Sequence, residues 1–289
     1  MGRLRAIPRA LREEPELFQR LRHVEARHAT EDELALAHDR AHIAHVRELA
    51  ISGGGRLDAD TVMSSGSWDA ATAGAGAVLD GIDFAFSVDG ERGPSRSFCA
   101  VRPPGHHALR AAGMGFCLFG NIAVGAHYAR SRHRADRILI VDWDVHHGNG
   151  TQALVEGDPG VHFVSMHQWP WYPGTGAAAD HGPHQNVWNV PMRGGLAPGE
   201  YVDALRRAVD SATTGFVPDL VLISAGFDSL AGDPLGGFTL ELEHVEHLTR
   251  YVVEHAEGWC RGRVVSSLEG GYVPDRLGEA CVRHMKALE

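Results

Sequence analysis

The sequence predicts an α/β fold with a mostly parallel central sheet, organised as a single domain over residues 1–289. Three observations carry this. Short, largely apolar runs recur at Ile138–Val141, Val161–Met166, Leu220–Ser224 and Val264–Leu268, and uninterrupted runs of that length suit strands buried on both faces. Helical stretches alternate with them, as a parallel sheet requires. Acids and histidines stand just past the ends of these runs, where open α/β sheets place their ligand crevice. A chain of 289 residues that is 44% hydrophobic can bury one large core, and nothing requires a second domain.

Composition narrows the partners. The net charge of −10 argues against a nucleic-acid surface, which is normally basic. It suits cationic substrates such as lysine-bearing peptides or polyamines, and serves solubility equally well. Cys99, Cys117, Cys260 and Cys281 form no C-x-x-C pair, so they read as reduced, buried thiols rather than a disulfide framework or zinc knot. The start, MGRLRAIPRALR, lacks an apolar core with a cleavage site, and no run reaches membrane-spanning length. The expectation is a cytoplasmic chain without a membrane partner, compatible with a homo-oligomer.

From the N-terminus, Leu4, Ile7 and Leu11, then Leu17, Leu21 and Val24, then Ala41, Ile43, Val46 and Leu49 keep helical spacing, so residues 3–51 read as short helices. His38, His42 and His45 fall here and read as packing or surface residues. Residues 52–67 form a Gly- and Asp-rich loop, and Trp68 to about Val88 a small-residue helix able to approach a sheet closely. Ser97–Val101 is a further strand that runs into R-P-P-G-H-H-A. The prolines and glycine fix an irregular turn there, which delivers His106 and His107 side by side. A tandem pair in a rigid turn suits acid–base work. A helix follows from Asn121 to Arg130.

The run at 138–141 leads into D-W-D-V-H-H-G-N-G-T-Q. On an extended chain, side chains two apart share a face, so Asp142, Asp144 and His146 line one side while Val145 turns into packing. A carboxylate and an imidazole so spaced can chelate one divalent cation, and unpaired acids beside a buried strand are costly without positive charge between them. The next strand, 161–166, ends at His167 and the aromatic loop W-P-W-Y-P-G-T-G; the stretch 177–187 is loop with exposed histidines. A helix over Tyr201–Thr213 precedes the 220–224 strand, which ends in A-G-F-D-S and puts the Asp228 carboxylate at the same crevice as Asp144 and His146. A helix from Glu241 to about Glu257 and the last strand lead into E-G-G-Y, where two glycines let the backbone approach a ligand and swing the Tyr272 phenol inward.

V-D-W-D-V-H-H-G-N-G-T-Q, A-G-F-D with G-D-P-L-G-G, R-P-P-G-H-H and E-G-G-Y together resemble the zinc-dependent histone deacetylase family. The likeness is to its class II-like branch with bacterial deacetylase-like amidohydrolases and acetylpolyamine amidohydrolases, and runs from about Arg3 to the C-terminus. It implies a three-layer arginase/deacetylase-type fold. The strand and loop that usually precede this region in the family are expected to be missing, so the sheet edge and one entrance wall are expected to differ. The resemblance implies that Asp144, His146 and Asp228 bind Zn²⁺, with Fe²⁺ or another divalent ion able to compete. It makes His106 and His107 the catalytic pair, oriented by Asp142 and Asn149, and Tyr272 the group that polarises the carbonyl. Phe116, Tyr172 and Leu235 would line the acyl-lysine tunnel. Tyrosine stands at 172 where the family commonly has phenylalanine, and Leu235 occupies a position related to a glutamate in the vertebrate polyamine deacetylase, which points to lysine rather than polyamine substrates. Asp58 or Asp60 is the candidate rim acid. A structural K⁺ is implied near Asp142, Asp144, His146, Ser165 and Met166, and a second K⁺ near Val155, Asp158 and Val161.

The expected activity is metal-dependent hydrolysis of acyl-lysine in a peptide or protein. Acetylpolyamine hydrolysis is the alternative within enzymes, separable by comparing acetyl-lysine peptides with acetylspermidine. From another class, a catalytically silent metal-binding regulator or recognition module would release no acetate with any divalent ion. A two-metal manganese ureohydrolase of the arginase type needs more acidic ligands than these segments offer.

Overall fold

A computed structural model describes residues 2–87 and 96–289. In chain order the elements are α1 (Gly2–Arg12), α2 (Pro15–Arg20), α3 (Glu31–Leu34), α4 (Arg40–Ile51), β1 (Gly54–Arg56), β2 (Val62–Ser64), α5 (Ser67–Ser87), β3 (Arg96–Cys99), α6 (Asn121–His133), β4 (Ile138–Asp142), α7 (Asn149–Val155), β5 (Val161–Gln168), β6 (Val187–Met192), α8 (Pro198–Thr213), β7 (Leu220–Ala225), α9 (Leu242–Cys260), β8 (Val264–Leu268) and α10 (Pro274–Leu288). β3 to β8 form one sheet in the order β3-β8-β7-β4-β5-β6, with every neighbouring pair parallel. β1 and β2 make a small antiparallel hairpin inside what the sequence predicts to be loop.

The apolar runs become strands because both their faces are covered. Leu139 and Val141 of β4 join a core with α1, α8, α9 and α10, while Ile138 and Ile140 join a second core with α4, α5, α6 and α7 on the opposite face. The result is the three-layer α/β/α arrangement that the motifs imply. α5 fits tightly because a Cβ on Gly81 would strike Ser97 of β3. Val88, the expected end of that helix, lies outside the described residues.

Departures from the expected elements have local causes. α2 stops at Arg20, and Val24 is exposed, so its helical spacing has no core to bury against. β3 ends at Cys99, two residues short, just before the Pro-rich turn. α7 begins on the motif residue Asn149 and α10 two residues after Tyr272, so the motifs hide their starts, and β6 is an edge strand containing Pro191, a residue compatible with an edge.

The chain order puts the topological switch point between β4 and β7. β4 pairs forward to β5 on one side and to the much later β7 on the other. Splaying connections leave a crevice beyond the C-terminal ends of such strands.

Candidate active site

β4 ends at Asp142, and a buried turn carries Asp144 and His146 past the sheet edge; the exit of β7 brings Asp228 to meet them. His146 Nδ1 lies 2.9 Å from Asp144 Oδ1 and 3.4 Å from Asp228 Oδ2. One ligand atom from each of the three residues lies within 4.8 Å of the others. Backbone amides hold the carboxylates: Val145 donates to Asp228 Oδ1 at 3.0 Å and Gly270 to Asp144 Oδ2 at 2.8 Å. A Cβ on Gly270 would collide with Asp228 Oδ2, so only glycine leaves room for this approach.

The cluster fits a divalent cation. Asp228 Oδ2 is buried and has no hydrogen-bond donor, an expensive arrangement unless positive charge faces it. Burial and neighbouring Asp144 push the Asp228 carboxyl up to about 6. Burial opposes a charge on His146, yet Asp144 and Asp228 raise its pKa to about 10. Both shifts express one demand, for positive charge among buried carboxylates. A cation meets that demand and displaces the imidazole proton. Two carboxylates and one imidazole suit Zn²⁺ or Fe²⁺ and leave coordination positions open.

Beside this cluster the turn after β3 presents His106 and His107, ring centroids 4.0 Å apart. Their partners differ. His106 Nδ1 is 2.9 Å from Asp142 Oδ2, whereas His107 Nδ1 is 2.7 Å from Asn149 Oδ1. Burial disfavours charge on both rings. For His106 the Asp144 and Asp142 carboxylates overcome it and raise the pKa well above the ordinary value. For His107 burial dominates, and the neighbouring His106 adds to it, so the pKa falls well below. A cation held by Asp144 offsets part of the rise at His106, but Asp142 remains.

A cavity of about 260 Å³ opens over these groups, with Phe116, Tyr172, Leu235 and Tyr272 in its walls and Asp60 among its lining residues. Phe116 owes its place to a tight turn: Gly115 and Phe116 both have positive φ, 55° and 66°, and Cys117 N donates to Met114 O at 2.9 Å. A left-handed phenylalanine costs on the order of 1 kcal/mol, and the Phe116 amide is pinned by Thr61 Oγ1 at 3.0 Å. Tyr172 meets the His107 ring edge-on at 5.2 Å, and Trp171 Nε1 donates to Leu235 O at 2.8 Å. Burial, with Asp228 and Asp144 nearby, holds the Tyr272 phenol well above its ordinary pKa, so it stays a donor.

The sequence profile of the histone deacetylase domain matches residues 1–288. The chain belongs to the histone deacetylase family. An uncharacterized Synechocystis protein, slr0245, is 42% identical over 87% of this chain and 79% of its own length. Human polyamine deacetylase HDAC10 is 38% identical over 94% of this chain. The solved HD domain of HDA15 superposes with a TM-score of 0.91 at 35% identity, covering 99% of this chain and 80% of that one. The chain therefore spans most of the cyanobacterial relative but only 42% of the human one.

In this deacetylase-family chain the residues named from sequence converge, with three adjustments. Asp142 does not face the cluster of Asp144, His146 and Asp228; the strand ends at Asp142, the alternation stops, and its carboxylate turns to His106. Of the two rim acids, Asp60 lines the cavity, while Asp58 Oδ1 accepts from the Asp60 amide at 2.8 Å and shapes the loop. The second K⁺ position is met differently: the Asn186 side-chain amide donates to Asp158 O at 3.1 Å and Val161 O at 2.8 Å, and Val155 O accepts from Asp158 N at 2.9 Å. His38 and His42 are buried packing residues and His45 is exposed, as expected.

Sequence reasoning missed Arg3, Asp233 and Glu269. Arg3 Nε donates to Gly271 O at 2.6 Å, its Nη2 reaches Glu269 O, and its guanidinium lies 4.9 Å from the Tyr272 ring centroid. Asp233 accepts from Tyr272 N at 2.6 Å and Leu235 N at 3.0 Å, joining the phenol's backbone to the tunnel wall. Burial pushes the Glu269 carboxyl up to about 7. For Asp233 the G-D-P-L-G-G segment was the available signal; for Arg3 none existed.

Proposed function

We propose that this chain is a divalent-metal-dependent amidohydrolase that removes acetyl or related acyl groups from the amine of a lysine side chain. The observation that carries the reading is the meeting of Asp144, His146 and Asp228 with His106, His107 and Tyr272 around one cavity. Asp144, His146 and Asp228 would hold the ion, Zn²⁺ or Fe²⁺. When bound, such an ion supplies Lewis acidity, lowering the pKa of a water and polarising an amide oxygen.

The chain's own groups divide the proton work. His107 donates its Nδ1 proton to Asn149, which leaves Nε2 as an acceptor, and its low pKa keeps the ring neutral. It takes a proton from the attacking water and passes one to the departing amine. His106, held against Asp142, carries the positive charge of the pair and stabilises negative charge developing at the acyl carbon's oxygen. Tyr272 donates its phenolic hydrogen bond to that oxygen. Phe116 and Tyr172 hold the acyl-bearing stem and exclude water. Water is consumed, and a carboxylate and the protonated lysine amine leave.

A K⁺ near Asp142, Asp144, His146, Ser165 and Met166 belongs to this proposal as a structural ion. A second K⁺ does not, because an amide already serves Asp158 and Val161. The test is acetate release by purified protein, stripped with chelator and reloaded separately with Zn²⁺, Fe²⁺ and Co²⁺. Acetyl-lysine peptide and acetylspermidine are compared at equal metal content. Activity lost with the metal and restored by one of the three, greater on the peptide, is expected. Preference for acetylspermidine moves the assignment to polyamines, and silence with all three ions removes it.

A further inference from the structure

Glu269 precedes the two glycines of the tyrosine loop and is fully buried at the junction of β7, β8 and the histidine-bearing turn. Its Oε2 accepts from two consecutive backbone amides, Gly105 N at 2.7 Å and His106 N at 3.2 Å. Its other oxygen lies 3.3 Å from Ser224 Oγ on β7. Consecutive amides aimed at one point form an anion-binding concavity, and here a side chain from 164 residues away fills it. The turn has few other anchors at that end: Asn121 Nδ2 donates to Pro103 O at 3.3 Å, and Thr151 N donates to His106 O at 3.0 Å. Without Glu269 the two buried amides would be orphaned, at about 1–3 kcal/mol each. The turn could recover solvent or another partner only by moving, and His106 and His107 would move with it.

We propose that Glu269 is a positioning residue for the hydrolysis assigned above, acting as a two-amide acceptor that sets the His106–His107 turn against Asp142 and Asn149. It touches neither substrate nor the Asp144, His146 and Asp228 ligand atoms, so its effect passes through the histidines. What matters is the acceptor oxygen rather than the carboxylate charge. A glutamine satisfies the same geometry, with its carbonyl oxygen toward Gly105 and His106 and its amide donating to Ser224 Oγ. A methionine of similar length does not.

The inference rests on the deacetylase reading, and acetate release by the wild-type chain tests that reading separately. In E269M, kcat is expected to fall about a hundredfold, the scale of a misplaced catalytic group, with KM and bound metal per chain unchanged. E269Q, which keeps the shape and the acceptor, is expected to stay within about threefold of wild type. Crystals of E269M should have the turn displaced and the His106–Asp142 contact broken, a readout independent of which amide is the substrate. An unmoved turn overturns the proposal, as does a loss confined to KM or metal content. E269Q as impaired as a nonfunctional E269M would assign the charge, not the acceptor, and would overturn it too.

Discussion

Tyr272 is the residue whose role separates binding from turnover. Its phenol is held protonated and in the cavity wall, while its backbone is fixed by Asp233 at 2.6 Å. Y272F keeps the ring and the loop and removes one donor, so kcat should fall about 10²–10³-fold with KM for an acetyl-lysine peptide nearly unchanged. A steady-state comparison checks the split; a loss in KM alone would make the tyrosine a wall and not a donor. Arg3 acts on the same phenol from behind. Its fork reaches two carbonyls of the tyrosine loop and its guanidinium carbon lies 4.9 Å from the ring centroid. Lysine keeps the charge but not the fork, so R3K should lower kcat about ten- to a hundredfold by loosening Tyr272, and R3K combined with Y272F should lose little beyond Y272F. Tyr272 was legible because glycines announce it. Arg3 was not, since a contact spanning 268 residues leaves no local pattern in a basic helix.

At the scale of elements, the strands of the sheet were readable wherever both faces are buried, as in 138–141, 220–224 and 264–268. α10 and α7 were not, because their apolar positions begin within a turn of residues already claimed for chemistry. β6 was hidden for a different reason: Trp188, Val190 and Met192 are only partly buried, so an edge strand lacks the continuous apolar run of its neighbours. The link between β6 and the α7–β5 connection is the Asn186 amide, which bridges Asp158 O and Val161 O. N186A takes that donor from both carbonyls; Asp158 O keeps Val161 N at 3.0 Å, so the loss falls on Val161 O, at about 1–3 kcal/mol, and should lower the melting temperature. Added KCl should recover more of the melting temperature in N186A than in wild type, since a cation can then occupy the vacated space between carbonyls. Equal KCl responses in thermal melts of the two proteins would refute the idea that the amide replaces an ion there.

For the whole molecule, the switch point between β4 and β7 was not deducible from any single segment, although the placing of acids at strand ends implied one crevice. Behind that crevice the layers are stitched by buried neutral histidines. His284 of α10 bonds Thr249 of α9 at 2.7 Å and Ser266 of β8 at 2.8 Å, and burial lowers its pKa to about 3. His38 bonds Leu109 O and accepts from Gly120 N, and burial lowers it to about 4. A base whose folded pKa is depressed leaves stability untouched above its unfolded value of about 6.5. Below that pH the unfolded chain takes up a proton that the folded chain refuses, so stability falls as pH falls, by about 1.4 kcal/mol per pH unit for each ring until its folded pKa is reached. H284Q keeps a donor and an acceptor between Thr249 and Ser266 but cannot titrate. Urea unfolding from pH 7.5 to 4.5 should therefore give wild type a steeper acid loss than H284Q, the two curves parting near pH 6.5 and the gap widening toward acid. Subtracting the curves cancels the carboxylates of the active site, which titrate in both proteins. Parallel curves would mean that His284 takes up its proton at the same pH folded as unfolded, and with it that the α9–α10–β8 junction is wetter than its packing implies.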